Sequence, residues 1–180
     1  MSLKIYQITD LADSEIIQIL KNGIHRDMFS SDQLAVNYLY EYQDTPGNLF
    51  YILNQGRYNT GKYFVLTDHG RYIASAGWNH YNEDTALLLT RMLVIPKYRG
   101  SYILAKTILQ TMIDQSANYK NQWITFNEYN LTLYKWFERV EQGKRGALFN
   151  NWPEIYSRFI PIGQQEINHT LQYVVELQNK

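Results

Sequence analysis

The run Arg91–Gln110, RMLVIPKYRGSYILAKTILQ, sets two cations, a proline and a glycine where a strand gives way to a helix with no long loop between them. The first turn of a helix presents N–H groups without intrahelical partners and the positive end of the helix dipole, so such a junction suits an anion. None of Lys97, Tyr98 and Arg99 is a Ser, Thr, Asp or Asn that would cap those groups. Lys97 and Arg99 add positive charge where a pyrophosphate would sit, and Gly100 lets the backbone come close. The alternative is an ordinary turn carrying two solvated cations. Other reactive groupings are sparse. His25, His69, His80 and His169 are scattered without ligand spacing and there is no cysteine, so no metal site is expected. Neither a Gly-x-Ser-x-Gly elbow nor a P-loop occurs.

The elements that must hold this junction follow from periodicity. Thr85–Ile95 is apolar on both alternating faces, with Ala86, Leu88, Met92 and Val94 on one and Leu87, Leu89, Leu93 and Ile95 on the other. That pattern predicts a central strand covered on both sides. Beyond the junction, Leu104, Ala105, Ile108, Leu109, Met112 and Ile113 form one helical stripe, with Ile103 off it and Tyr102 on its buried side. A strand QWITFN, a helix over Asn130–Val140 and a GKRG loop come next, and IYSRFIPI and LQYVVEL read as a closing pair of strands. The aromatic stretch FNNWPEIYSRF is expected to cover a sheet edge rather than to overhang a site. Toward the N-terminus, KIYQIT reads as a strand, Glu15–Lys21 as a helix and Ser31 to about Tyr42 as a second helix. Strands LFYIL, KYFVLT and RYIASAGW follow, with turns at Asp68-His69-Gly70 and Tyr81-Asn82-Glu83-Asp84. No linker or repeat divides the chain, so residues 1–180 read as one α/β domain with a mixed sheet.

The bulk numbers narrow the partners. Lys and Arg total 17 against 17 Asp and Glu, so no global basic field would gather nucleic acid. No apolar run reaches the length of a membrane span, and the start MSLKIYQITDL lacks the pattern of a signal peptide. A cytoplasmic protein without nucleic-acid or membrane partners is the expectation, with a homodimer left open. Most of the 16 tyrosines read as amphipathic strand and rim residues.

Val94, Pro96, Tyr98, Arg99 and Gly100 match the Val-x-Pro-x-Tyr-Arg-Gly run of the Gcn5-related N-acetyltransferases (GNAT), and Asn127 followed by Leu133-Tyr134 resembles that family's Asn-to-Leu-Tyr segment. The element order is similar over nearly the whole chain. The resemblance implies the acyl-CoA N-acyltransferase fold, a mostly antiparallel mixed sheet with helices on both faces. It also implies acetyl-CoA as co-substrate and an amine as acceptor. Lys97, Tyr98, Arg99, Gly100, Ser101, Tyr102 and Ile103 would then hold the pyrophosphate, Leu93 and Val94 would polarise the thioester carbonyl, and Asn127 and Tyr134 would contact the cofactor. The departures are specific. Lys97 replaces Gln or Arg of the core signature, Tyr102 replaces its Gly or Ala, and Leu104 replaces the second glycine of the fuller form. Glu138-Arg139 stand where Gly-Phe is usual, and Leu87-Leu88-Leu89 carry no carboxylate where many members place a base.

Acyl transfer needs a polarised carbonyl, a route for the amine proton and a proton for the departing thiolate. Tyr134, with an ordinary pKa of about 10, is the candidate acid, or it simply packs beside Leu131. His80, Glu83 and Glu128 are the candidate bases, with His80 equally readable as a hairpin surface residue. Two rivals keep the fold: a binding module without turnover, and a transferase that uses a longer acyl thioester.

Overall fold

The computed structural model describes residues 2–7, 61–128 and 131–178. The two early helices, the LFYIL strand and the turn at Asp44–Asn48 lie outside them. The described elements are β1 (Leu3–Gln7), β2 (Gly61–Asp68), β3 (Arg71–Asn82), β4 (Thr85–Val94), a 3-10 turn (Pro96–Tyr98), α1 (Tyr102–Gln115), β5 (Asn121–Phe126), α2 (Leu131–Glu141), the short helices α3 (Ala147–Asn151) and α4 (Pro153–Tyr156), β6 (Phe159–Ile167) and β7 (Thr170–Leu177). The seven described strands follow the order β1-β2-β3-β4-β5-β7-β6, a mixed and mostly antiparallel sheet flanked by helices. The described residues fall into two compact units, one within residues 1–79 and 90–101 and the other within residues 80–89 and 102–180.

In the first unit β1 pairs antiparallel with β2, Leu3 opposite Asp68, and β2 with β3, Gly61 opposite Asn79. Gly61 is required there, because a Cβ would stand 2.1 Å from the Trp78 carbonyl oxygen. The β2–β3 hairpin closes through His69 and Gly70, both at positive φ (49° and 76°), the handedness that matches strand twist in two-residue loops. Phe64, Val65 and Leu66 of β2 and Ile73, Ala74 and Ala76 of β3 are buried. The register slips by one residue after Leu66, passing over Ile73, and the Ile73 carbonyl accepts the Ile95 N–H at 2.9 Å.

In the second unit Thr85–Leu88 of β4 run parallel to Asn121–Ile124 of β5, and the long connection that parallel strands need contains α1. The buried residues of α1 are Leu104, Ile108, Leu109, Met112 and Ile113, the stripe expected from the sequence. β5 pairs antiparallel with β7, and β7 with β6. Gln122 is buried and satisfied, its Nε2 donating to the Ile113 carbonyl at 3.0 Å and to Ser116 Oγ at 2.6 Å.

Four expectations change. The unbroken alternation of Thr85–Ile95 fails, because Leu89 sits at φ 57°, a costly conformation for a branched residue. Ala86, Leu87 and Leu88 are buried, yet Met92 is 43% exposed. Tyr102 is 40% exposed rather than turned inward. It stands at the rim of the α1 stripe, and helical side chains lean toward the N-terminus, so a first-turn residue projects past the packed part. β3 extends through Tyr81 and Asn82, leaving Glu83 and Asp84 to make the turn. Finally, Ile155 and Tyr156 belong to α4 rather than to a strand, since Pro153 occupies a first-turn helix position, and β6 begins at Phe159.

Candidate active site

In the first unit the end of β4 is followed by the Pro96–Tyr98 turn, Arg99 and Gly100. Gly100 takes φ 78°, a left-handed conformation that suits glycine. The turn is internally bonded: the Tyr98 N–H donates to the Ile95 carbonyl at 2.9 Å and the Ser101 N–H to the Tyr98 carbonyl at 3.3 Å. These two amides are therefore committed to the turn. Arg99 Nε donates to the Val94 carbonyl at 3.0 Å, so the guanidinium folds back along the last residue of β4. Lys97 is exposed, with Nζ 5.7 Å from the Tyr98 ring centre. The Tyr98 hydroxyl donates to Asp68 Oδ2 at 2.9 Å, anchoring the junction to the β2–β3 hairpin. Asp68 also accepts the Ser2 N–H at 2.7 Å and lies 2.9 Å from His69 Nδ1. The Ser2 N–H foremost, then the Tyr98 hydroxyl, hold its carboxyl below the ordinary range. The same bond to Asp68 pushes the Tyr98 phenol up. Val94 is half-buried, and Leu93 precedes it as part of β4.

In the second unit Tyr102 and Ile103 open α1, both exposed, and Leu104 behind them is buried. Asn127 and Glu128 are exposed just past the end of β5. Tyr134 is on the buried face of α2, 4% exposed. Its ring centre is 5.0 Å from that of Tyr173 on β7 and 6.1 Å from that of Phe126, the residue before Asn127. Its hydroxyl oxygen accepts the Gly163 N–H at 3.2 Å, and among the described residues its own proton has no acceptor. Burial is the main cause that pushes this phenol up, and the Gly163 N–H opposes it. A phenol so placed is protonated at neutral pH, as a proton donor must be.

β5 therefore brings Asn127, Glu128 and Tyr134 to one end and leaves the other candidate bases at the opposite end. His80 is exposed, with Nδ1 3.0 Å from the Tyr119 hydroxyl just before β5. Glu83 is exposed in the β3–β4 turn beside Asp84, whose carbonyl accepts the Asn121 N–H at 2.7 Å. Six residues of strand span about 17 Å, too far for His80 or Glu83 to share a reacting atom with Tyr134. The aromatic stretch after the GKRG loop packs on α2: Tyr156 lies 5.3 Å from Trp136, and Phe159 lies 5.6 Å from Phe137, between ring centres. Among the described residues no group of three or more His, Asp or Glu could hold a metal ion. No helix among them is long and apolar enough to cross a membrane.

Two residues bonded to these candidates were not singled out from sequence, Gly163 and Asp68. Gly163 had a signal, because a lone glycine two residues after a proline inside a strand pattern marks a bulge. Asp68 had none beyond its turn.

No protein-family model matches the chain, and no curated protein matches it in sequence. Solved structures do. The PaiA N-acetyltransferase of Thermoplasma acidophilum, in complex with coenzyme A, is similar at 13% identity and a TM-score of 0.58, over 99% of this chain and 100% of that one. The PseH N-acetyltransferase of Campylobacter jejuni, in complex with acetyl coenzyme A, is similar at 14% identity and a TM-score of 0.56, over 99% of each chain. An acetyltransferase of Streptococcus agalactiae gives a TM-score of 0.59 at 12% identity, over 99% of each chain. With the strand order and the helix that links β4 to β5, these likenesses show that the chain has the fold of the GNAT N-acetyltransferases.

Proposed function

We propose that the protein is an acyl-CoA-dependent N-acetyltransferase that moves an acetyl group from acetyl-CoA to an amine. The carrying observation is the Tyr134 phenol, buried, fixed by one backbone N–H and with its own proton unspoken for among the described residues, in a fold shared with N-acetyltransferases solved with coenzyme A and acetyl coenzyme A. In this reading Leu93 and Val94 contribute backbone amides toward the thioester carbonyl. Lys97 and the segment Tyr98–Ile103 take the pyrophosphate, through groups other than the Tyr98 and Ser101 amides bonded within the turn, and Asn127 contacts the cofactor. The amine nitrogen attacks the carbonyl carbon, the C–N bond forms and the C–S bond breaks. The electron pair goes to sulfur, and the thiolate takes the Tyr134 proton. Glu128, at the same end of β5 as Tyr134, is the favoured route for the amine proton, through water. A single domain over 1–180 in the cytoplasm goes with this reading.

A binding module of the same fold is the second reading. It is favoured by the exposed Tyr102 at the first residue of α1 and by the Tyr98 and Ser101 amides already bonded within the turn. Thiol release from acetyl-CoA and from a longer acyl-CoA, followed across a panel of small and peptidyl amines, separates the two. Amine-dependent release supports the transferase, and a preference for the longer donor corrects the acyl chain. No release with any pair leaves the module.

A further inference from the structure

The bulge in β6 has a use that the ladder alone does not explain. β6 and β7 pair in one register through Pro161 opposite Val175 and in the next from Gly163 opposite Val174, so Ile162 is passed over. Gly163 takes φ 82°, which a residue with a Cβ rarely adopts, although a Cβ there would meet nothing within 4 Å. Crowding therefore does not demand glycine. Backbone direction does, since this conformation aims the N–H across the bulge at a side chain of α2. The N–H donates to the Tyr134 oxygen at 3.2 Å, while the Tyr173 ring, 5.0 Å away between centres, holds the phenol plane from β7.

We propose that the Gly163 amide is a positioning group for proton delivery: it takes one lone pair of the Tyr134 oxygen, turns the O–H away from β6 and stabilises the phenolate left when that proton reaches the thiolate. The inference rests on the reading of Tyr134 as the acid. The proton passes from Tyr134 oxygen to the sulfur of the departing coenzyme A, and the phenolate regains one from solvent, which receives the proton released by the amine. A phenolate in this place is otherwise disfavoured. Burial opposes it, as do Glu138 and Glu141 on α2 and the Tyr173 phenol on β7, and the Gly163 N–H is the group that favours it. A bond from a fixed dipole costs no reorganisation during the reaction. The bulge thus leaves the phenol proton available and offsets part of the burial that opposes its loss.

The test replaces residue 163 with glycolic acid by semisynthesis or codon suppression, exchanging the N–H for an ester oxygen while keeping the glycine-like backbone. Tyr134 is titrated by the 13Cζ signal of labelled tyrosine, assigned with Tyr134→Phe, with no donor or acceptor present. Gly163→Ala, which keeps the N–H but strains the backbone, serves as the folding comparison. The expected result is an upward move of the Tyr134 titration by about one unit in the ester protein, absent or smaller in Gly163→Ala. The alkaline limb of kcat should move with it, and kcat should fall more than KM changes. An unchanged Tyr134 titration in a folded ester protein overturns the proposal. A moved titration without any change in the kcat profile supports the tuning of the phenol but overturns the assignment of Tyr134 as the acid.

Discussion

In the proposed transferase, Tyr134 concentrates the chemistry in one oxygen. Tyr134→Phe removes the donor and leaves the ring in place, so kcat should fall by about 100- to 10,000-fold with coenzyme A affinity nearly unchanged. The Gly163 N–H would lose its acceptor, and stability should drop by about 1–3 kcal/mol in a denaturant titration. As the proposed acid the phenol would act in its protonated form, and its pKa is raised, so kcat should hold through neutral pH and decline only as pH rises through that raised value. Tyr102 poses the opposite case. Being exposed, it supports little of the core, and Tyr102→Gly should cost no more than about 1 kcal/mol of helix propensity. If the ring shields the start of α1, the same variant should bind coenzyme A more tightly in a calorimetric titration. Tyr134 was singled out as a candidate acid from its place after Asn127, whereas the Gly163 N–H that bonds it was not, because a hydrogen bond from a β6 bulge to an α2 phenol is a tertiary fact. Tyr102 was misplaced by angle alone, which ignores that a helix end has no packed turn before it.

Among the elements, the β4–α1 junction was the most readable, since its strand and stripe stand side by side in the chain. What the sequence did not disclose is the brace that holds it. The Tyr98 hydroxyl reaches Asp68, thirty residues earlier, and fastens the turn to the β2–β3 hairpin. The folded pKa of Asp68 lies below its ordinary 3.8, so this stabilisation is complete above about pH 4 and is lost as pH falls through the lowered value. Tyr98→Phe removes one of the donors responsible. Its melting temperature should be lower than that of the parent at neutral pH, with the gap closing as pH falls below about 4 and through the lowered value. An equal gap at every pH would mean that the Asp68 bond contributes nothing. The β4 strand itself shows where periodicity stops short. Two apolar faces were correct for Ala86, Leu87 and Leu88, but the positive φ at Leu89 interrupts the alternation, and no residue type there announces it. Proline at 153 did announce α4, and its signal was outweighed by the β-rich look of IYSRFIPI.

At the scale of the whole molecule, the pattern of apolar residues brought the succession of strands and helices along the chain into view, though not their order in the sheet, and the overlap with solved N-acetyltransferases at 11–14% identity shows how little of the fold depends on particular side chains. Stability at high pH is a collective property that the tyrosines impose. Burial pushes Tyr156 up to about 12, and Tyr134 and Tyr98 are raised as well. Unfolded tyrosines ionise near 10, so stability is complete below that pH and lost as pH rises toward 12. Tyr156→Phe should flatten that loss by up to about 3 kcal/mol, measured as unfolding free energy against pH. The most direct test of the account is a thermal-shift titration with acetyl-CoA, a longer acyl-CoA and free coenzyme A, with ATP as the phosphate control. A ligand at about a hundred times its dissociation constant adds roughly 2.7 kcal/mol to the folded state. Coenzyme A and its thioesters should raise Tm, and ATP should not. No rise at millimolar ligand, or an equal rise with ATP, would contradict it.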